Sequence, residues 1–172
     1  MILIDDFYTP FEWKEINQLK DSLEYRPTCQ PESTHIDRRL KNYPCYETGF
    51  NQRLKDITLN ALKNKTNLNI KNVNTKFRKI LTSEINQSPL ANQSQMVKHK
   101  DTTYSDYAGV VYFNGLTIKG GTSLFFTDNQ IEPDVIFGAK PNRLILYKSS
   151  IFHCANHDYL YDTRIIQTIF SI

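Results

Sequence analysis

Cysteine is scarce in this sequence of 172 residues: Cys29, Cys45 and Cys154 are odd in number, widely spaced and form no C-x-x-C pair. A disulfide framework and a structural zinc site of the paired-cysteine kind are both disfavoured, and reduced thiols are expected. Long apolar runs are missing too. The opening stretch "MILIDDFYTP" sets acidic residues directly behind a short apolar run. It matches neither a signal peptide nor a membrane span, so a cytoplasmic location with no membrane partner is the expectation. Nor does one sign of charge dominate. The formal net charge is +3, with lysines and arginines scattered, an excess that neither demands a polyanionic partner nor forbids one. The most basic stretch, "KNKTNLNIKNVNTKFRK", fits a solvated loop leading into a strand about as well as a nucleic-acid face. No internal repeat and no long low-complexity tract is present, which sets aside repeat architectures.

What remains is the composition of a globular protein, with 40% hydrophobic and 23% charged residues. The length fits one domain over 1–172, with helical support over about 9–63 and a β core over about 70–172. After the short strand "MILID", Thr9 is placed to cap a helix, with Pro10 in its first position and Glu12 closing a capping box. Trp13, Ile16, Leu19 and Leu23 then recur at helical spacing and read as core packing. A second helix is predicted from Thr48 to Lys63, with Phe50, Leu54, Ile57 and Ala61 on one face, and a turn-rich segment between the two helices. Beyond the asparagine-rich linker the period changes to two, Val73, Thr75 and Phe77 alternating with Asn74, Lys76 and Arg78. The stretches "MVKHKD", "YAGVVYFN", "GTSLFF", "DVIFG", "NRLILYK" and "TRIIQTIFSI" follow, short, β-branched or aromatic, and separated by turn residues. Helices first and strands afterwards predict an antiparallel double sheet with helices packed on one face and ligands at its mouth.

The run "QMVKHKDTTYSDYAGVVYFN" starts with a histidine and an aspartate two residues apart. In a strand, His99 and Asp101 project to one side with Lys100 opposite, so an imidazole and a carboxylate can meet one ion. That is two-thirds of the two-histidine, one-carboxylate triad that holds non-haem Fe(II). The motif alone proves little, since His35-Ile36-Asp37 repeats it between proline-rich turns with no strand-like run behind it. His153 and His157 both follow the apolar strand "NRLILYK", and either could complete the set. Arg164 opens the last strand eleven positions after His153. A buried arginine there needs a partner, and its planar fork suits a carboxylate. An organic diacid could chelate iron at one end and meet Arg164 at the other, although Asp101 or Glu132 could instead pair with it. Cys154 should point away from His153 and reads as a small buried residue.

Taken in order, "LIDDFYTPFEW", "HKD", "YAGVVYFN", "GGTSLFF", "NRLILYKSSIFH" and "TRIIQTIF" resemble the Fe(II)- and 2-oxoglutarate-dependent dioxygenases, in particular their prolyl 4-hydroxylase-like branch, over most of the chain. The resemblance implies a mainly β fold with N-terminal helices and a double-stranded β-helix core of the jelly-roll or cupin-like kind. It favours His153 over His157, and makes His99, Asp101 and His153 the iron ligands. It implies that Arg164 binds the distal carboxylate of the cosubstrate 2-oxoglutarate and that Tyr112 hydrogen-bonds the same molecule, with dioxygen as the third reactant. The carboxylate at Asp101, where related halogenases carry a small residue, implies hydroxylation. Two departures stand out: Ile166 replaces the serine or alanine often found two positions after the arginine, and Phe170 replaces the second arginine of the nucleic-acid demethylases. The latter argues against a nucleic-acid partner.

The substrate expected on this reading is a protein or peptide side chain, or a free amino acid. The rival readings are a catalytically silent β-helix that binds a peptide or sugar, a cupin-like metal enzyme that uses no 2-oxoglutarate, and a nucleic-acid demethylase. The polar segment "YRPTCQPESTHIDRRLKNYPCYETG" is expected to drape over the mouth, with Arg38 or Arg39 meeting a carboxylate.

Overall fold

A computed structural model of the chain describes residues 1–28, 45–82, 98–102, 105–115, 120–156 and 162–171. In chain order its elements are β1 (Ile2–Ile4), α1 (Pro10–Ser22), β2 (Tyr25–Pro27), β3 (Cys45–Thr48), α2 (Gln52–Lys65), β4 (Val73–Leu81), β5 (Tyr107–Tyr112), β6 (Thr122–Phe125), β7 (Val135–Phe137), β8 (Leu144–Lys148), β9 (Phe152–Ala155) and β10 (Thr163–Ser171). No helix among the described residues is long and apolar enough to cross a membrane.

The start of α1 follows the sequence signal. Thr9 Oγ1 accepts the Glu12 N–H at 3.3 Å, and the Glu12 carboxylate accepts the Thr9 N–H at 2.9 Å. Two amides that a helix N-terminus leaves unpaired are thereby satisfied. The start of α2 differs from the expected Thr48. That threonine ends β3, its hydroxyl taken by the Phe77 N–H at 3.2 Å, and Asn51 caps the helix instead by accepting the Leu54 N–H at 2.8 Å. Phe50 therefore precedes the helix and is 70% exposed. Nor is the segment between the helices all turn: β2 and β3 add two short strands to a sheet edge.

Seven antiparallel strands form the larger sheet in the order β1-β8-β5-β10-β4-β3-β2, and three form the smaller, β7-β6-β9. Beyond β9, His99 pairs with His153 backbone to backbone, the N–H of each reaching the other's carbonyl at 3.0 and 2.9 Å. The expected "MVKHKD" strand is thus a single bridge among the described residues, while β9 is a strand that periodicity did not signal. One apolar layer lies between the helices and the larger sheet, built on Phe7, Ile16, Leu54, Leu62 and Phe77. A second lies between the two sheets, on Tyr112, Leu124, Ile145, Tyr147 and Ile166. The result is the mainly β, double-sheet architecture with helices on one face that the sequence predicts.

β10 belongs to both layers, because its side chains alternate. Gln167 faces the helices and is fully buried, with its Nε2 donating to Thr58 and Thr75 at 2.8 Å each and its Oε1 accepting the Tyr8 hydroxyl at 2.8 Å. This network fixes the strand register, since a slip by one residue would turn the amide into the opposite layer. Arg164, Ile166, Thr168 and Phe170 then face the gap between the sheets.

Candidate metal and carboxylate site

A cleft of about 580 Å³ opens between the two sheets, and His99, Asp101, His153 and Arg164 all line it. Pairing with β9 and with the turn that follows β8 brings three of them together. Backbone pairing holds His99 beside His153, and the Asp101 N–H is tied to the Ser149 carbonyl at 3.0 Å. One ligand atom from each of His99, Asp101 and His153 lies within 4.8 Å of the others. His153 and Asp101 are 8% and 15% exposed, while the His99 ring is half open to solvent. Lys100 points the other way, over the Phe152 ring at 4.0 Å, as strand alternation requires.

The hydrogen bonding of His153 bears on what the cluster can hold. Its Nδ1 lies 3.2 Å from the Ile151 carbonyl, and its Nε2 lies 3.1 Å from Asp101 Oδ2. Both neighbours are acceptors, and a neutral imidazole has one N–H. One nitrogen therefore needs either a second proton or a cation on its lone pair. With Nδ1 donating to the carbonyl, Nε2 is left for a metal ion, the arrangement that commonly orients a ligating histidine. Burial pushes the Asp101 carboxyl up, but the His153 hydrogen bond and the nearby His153, His99 and Arg78 charges outweigh it and hold it below the usual carboxylate value. The group is a ready anionic ligand. Two imidazoles and one carboxylate in this arrangement fit non-haem Fe(II).

Arg164 is buried, at 6% exposure, at the start of β10. Its Nε donates to the Gly120 carbonyl at 3.2 Å and one terminal nitrogen, Nη2, to the Gly121 carbonyl at 3.1 Å. The other terminal nitrogen, Nη1, is buried with no hydrogen-bond partner among the described residues. No acidic residue among the described ones pairs with it, so neither Asp101 nor Glu132 fills the place considered for them. A buried guanidinium with an open N–H is costly unless an acceptor arrives. A ligand carboxylate is the group its geometry fits. Gly121 shapes this cradle, since a Cβ there would lie 1.5 Å from the Phe137 carbonyl oxygen, leaving room for no other residue.

Tyr112 packs against Arg164. It is fully buried, its hydroxyl 2.6 Å from that of Thr122 and its ring 5.6 Å beneath the Arg164 guanidinium, and it is not among the residues lining the cleft. Tyr112 supports Arg164 through cation–π contact. The tyrosine on the cleft wall is Tyr147, with its ring 4.9 Å from that of His153. Burial, then the Asp101 charge, push its phenol well above the ordinary value, so it stays a neutral hydroxyl. Sequence reasoning missed Tyr147; the inward phase of "NRLILYK" was the only available signal. It also missed that Lys76 and Arg78 line the cleft, although the alternation of β4 places them on one face. Ile166 and Phe170, the two departures from the family pattern, line it as well.

Cys45 and Cys154 are buried free thiols, and burial raises the Cys154 thiol, which suits an apolar filler rather than a ligand. His35, Asp37, Arg38, Arg39, His157 and Cys29 lie outside the described residues.

No protein-family model matches the sequence, and no curated protein matches it by sequence. Solved structures do match in shape. An oxidoreductase of the 2OG-Fe(II) oxygenase family from Burkholderia pseudomallei superposes with a TM-score of 0.61 at 11% identity, over 99% of this chain and 82% of that one. A prolyl hydroxylase from Trichoplax adhaerens, in complex with a peptide fragment of the hypoxia inducible factor oxygen degradation domain, gives 0.63 at 13% identity over 99% and 82%. A Pseudomonas putida prolyl-4-hydroxylase gives 0.59 at 11% identity over 99% and 90%. The chain has the fold of these oxygenases, with a double-stranded β-helix core.

Proposed function

We propose that this protein is an Fe(II)- and 2-oxoglutarate-dependent oxygenase that hydroxylates a peptide or protein side chain or a free amino acid. The observation that carries the reading is the coexistence, in one cleft, of the His99, Asp101 and His153 cluster with the unpaired buried Nη1 of Arg164. A metal enzyme without 2-oxoglutarate would have no use for that guanidinium, and a plain binding module would have no use for the cluster. The likeness to a prolyl hydroxylase that holds a peptide supports a peptide as substrate.

Bound iron with 2-oxoglutarate and dioxygen would supply the oxidising power for C–H hydroxylation. The protein's part is to position and to exclude water. His99, Asp101 and His153 would hold the ion, a ligand set of the kind that leaves positions free for small ligands. Arg164, fixed by two glycine carbonyls and the Tyr112 ring, would take the far carboxylate of the cosubstrate in a charge-assisted contact. The Tyr147 hydroxyl, kept protonated, can donate a hydrogen bond into the cleft. Ile166 and Phe170 give it an apolar wall on which a substrate side chain can pack.

The test is anaerobic addition of Fe(II) and 2-oxoglutarate while following the visible metal-to-ligand absorption band, then admission of oxygen with succinate measured. One iron per chain, a band that saturates with 2-oxoglutarate, and succinate formed only with both present are the expected results. Iron uptake without the band would move the reading to an oxygenase that does not use 2-oxoglutarate; no iron uptake would end it.

A further inference from the structure

The larger sheet presents more positive charge to the cleft than iron and 2-oxoglutarate require. In the loaded oxygenase the two charges of Fe(II) and the one of Arg164 balance the one of Asp101 and the two of 2-oxoglutarate. The loaded centre is then neutral. Lys76 and Arg78 remain on the same wall. On β4 they lie opposite Thr168 and Ile166 of β10, two and one steps of about 7 Å along the strand from the Arg164 pair. Among the described residues both share one carboxylate: Glu47 on β3 pairs with the Lys76 ammonium and lies 3.4 Å from Arg78 Nε. One positive charge is left over. Arg78 Nε faces Glu47 at 3.4 Å, outside hydrogen-bond geometry, so the guanidinium is only loosely held by the carboxylate it shares with Lys76.

We infer that Lys76 and Arg78 form a substrate subsite, and that the substrate carries a carboxylate next to the group to be hydroxylated. This rests on the reading of the cleft as a 2-oxoglutarate oxygenase. A neutral substrate would leave the surplus charge facing an apolar ligand, a costly arrangement. A carboxylate shared between the ammonium and the guanidinium satisfies both, with Phe170 and Ile166 beside it to pack the carbon chain. That carboxylate could come from an acidic side chain, either of a residue in a peptide or of a free amino acid.

Protein loaded anaerobically with Fe(II) and 2-oxoglutarate separates these cases. The probes are L-glutamate against L-glutamine, and a proline-containing pentapeptide with glutamate or with glutamine beside the proline. Binding is read from the perturbation of the metal-to-ligand band. In one of the two pairs the acid should bind about tenfold more tightly than the amide. The preference should fall to about twofold or less in Arg78→Gln and in Lys76→Gln, and recover in part in Arg78→Lys. Affinity for 2-oxoglutarate should stay within about threefold of the parent in these variants; since that band needs a folded cleft, it also reports misfolding. Equal binding of acid and amide, or no binding of either acid at millimolar concentration, overturns the inference. So does loss of 2-oxoglutarate affinity in the variants, which would assign the two cations to the cosubstrate. Failure of the underlying reading is seen earlier, as absence of the band before any probe is added.

Discussion

The two faces of β10 differ in how their polar groups end up. Toward the helices, Gln167 has both ends of its amide bonded, and its partners Tyr8, Thr58 and Thr75 are bonded in turn. Toward the cleft, three positions earlier on the same strand, Arg164 keeps a buried N–H with no acceptor among the described residues. One strand thus carries a closed network on one side and an open one on the other. A satisfied buried network rigidifies the fold, whereas an unsatisfied one stores a preference for something yet to arrive. Buried polarity by itself therefore does not mark a functional site; on β10 the group left unpaired is the one that lines the cleft.

Three substitutions press on that contrast. The largest change in stability is expected from Gln167→Ala, which removes three hydrogen bonds and opens a cavity between helix and sheet. It should cost about 3 kcal/mol, lowering the melting temperature by about 10 °C, while the variant binds iron and 2-oxoglutarate like the parent below its transition. If cosubstrate affinity fell with stability, the two faces would not be separable. Arg164→Ala should act the opposite way. Its affinity for 2-oxoglutarate should fall about thirtyfold, about 2 kcal/mol, with iron content kept and a melting temperature that moves less than in Gln167→Ala. Unchanged affinity, followed by the anaerobic band, would remove Arg164 from the site.

The smallest effect belongs to neither face. Asp5 accepts hydrogen bonds from Arg143 at 2.6 and 3.0 Å and from Lys140 at 3.0 Å, which hold its carboxyl well below the ordinary value of 3.8. Because the folded pKa is depressed, the pair stabilises the protein above pH 3.8 and its contribution is lost as pH falls below that value. Asp5 is 39% exposed, so solvent screening limits the effect of Asp5→Asn to below about 1 kcal/mol at neutral pH. Urea unfolding at pH 7 and pH 3 should show the difference between parent and variant shrinking in acid; a difference that grew would mean the carboxyl is not ion-paired.

The features readable in the sequence are those with local causes. The α1 cap needs only Thr9 and Glu12, and the alternation of β4 and β10 needs only their own side chains. The clustering of His99, Asp101 and His153 was legible because an i, i+2 pair shares a face and an apolar strand precedes the third residue. The misses depend on partners far along the chain. β9 is four residues long and exists through its pairing with β6. Thr48 reads as helical until its hydroxyl is seen to be taken by Phe77 on another strand. That Tyr147 lines the cleft depends on the pairing of β8 with β5, which sets Tyr147 opposite Ala108.

The position of β10 also dictates an order of events. It is the last of the described strands in sequence, yet it lies between β4 and β5 in the sheet, and its Gln167 reaches a tyrosine 159 residues earlier. A nascent chain still lacking residues 163–171 has β4 and β5 with no strand to join them, each with an unpaired backbone edge. Such edges invite pairing with other chains. Folding must therefore await a late, long-range closure, which makes it slow relative to helical proteins of similar size. A truncation before β10 should yield aggregate rather than a smaller folded domain, as sedimentation of the shortened chain would show.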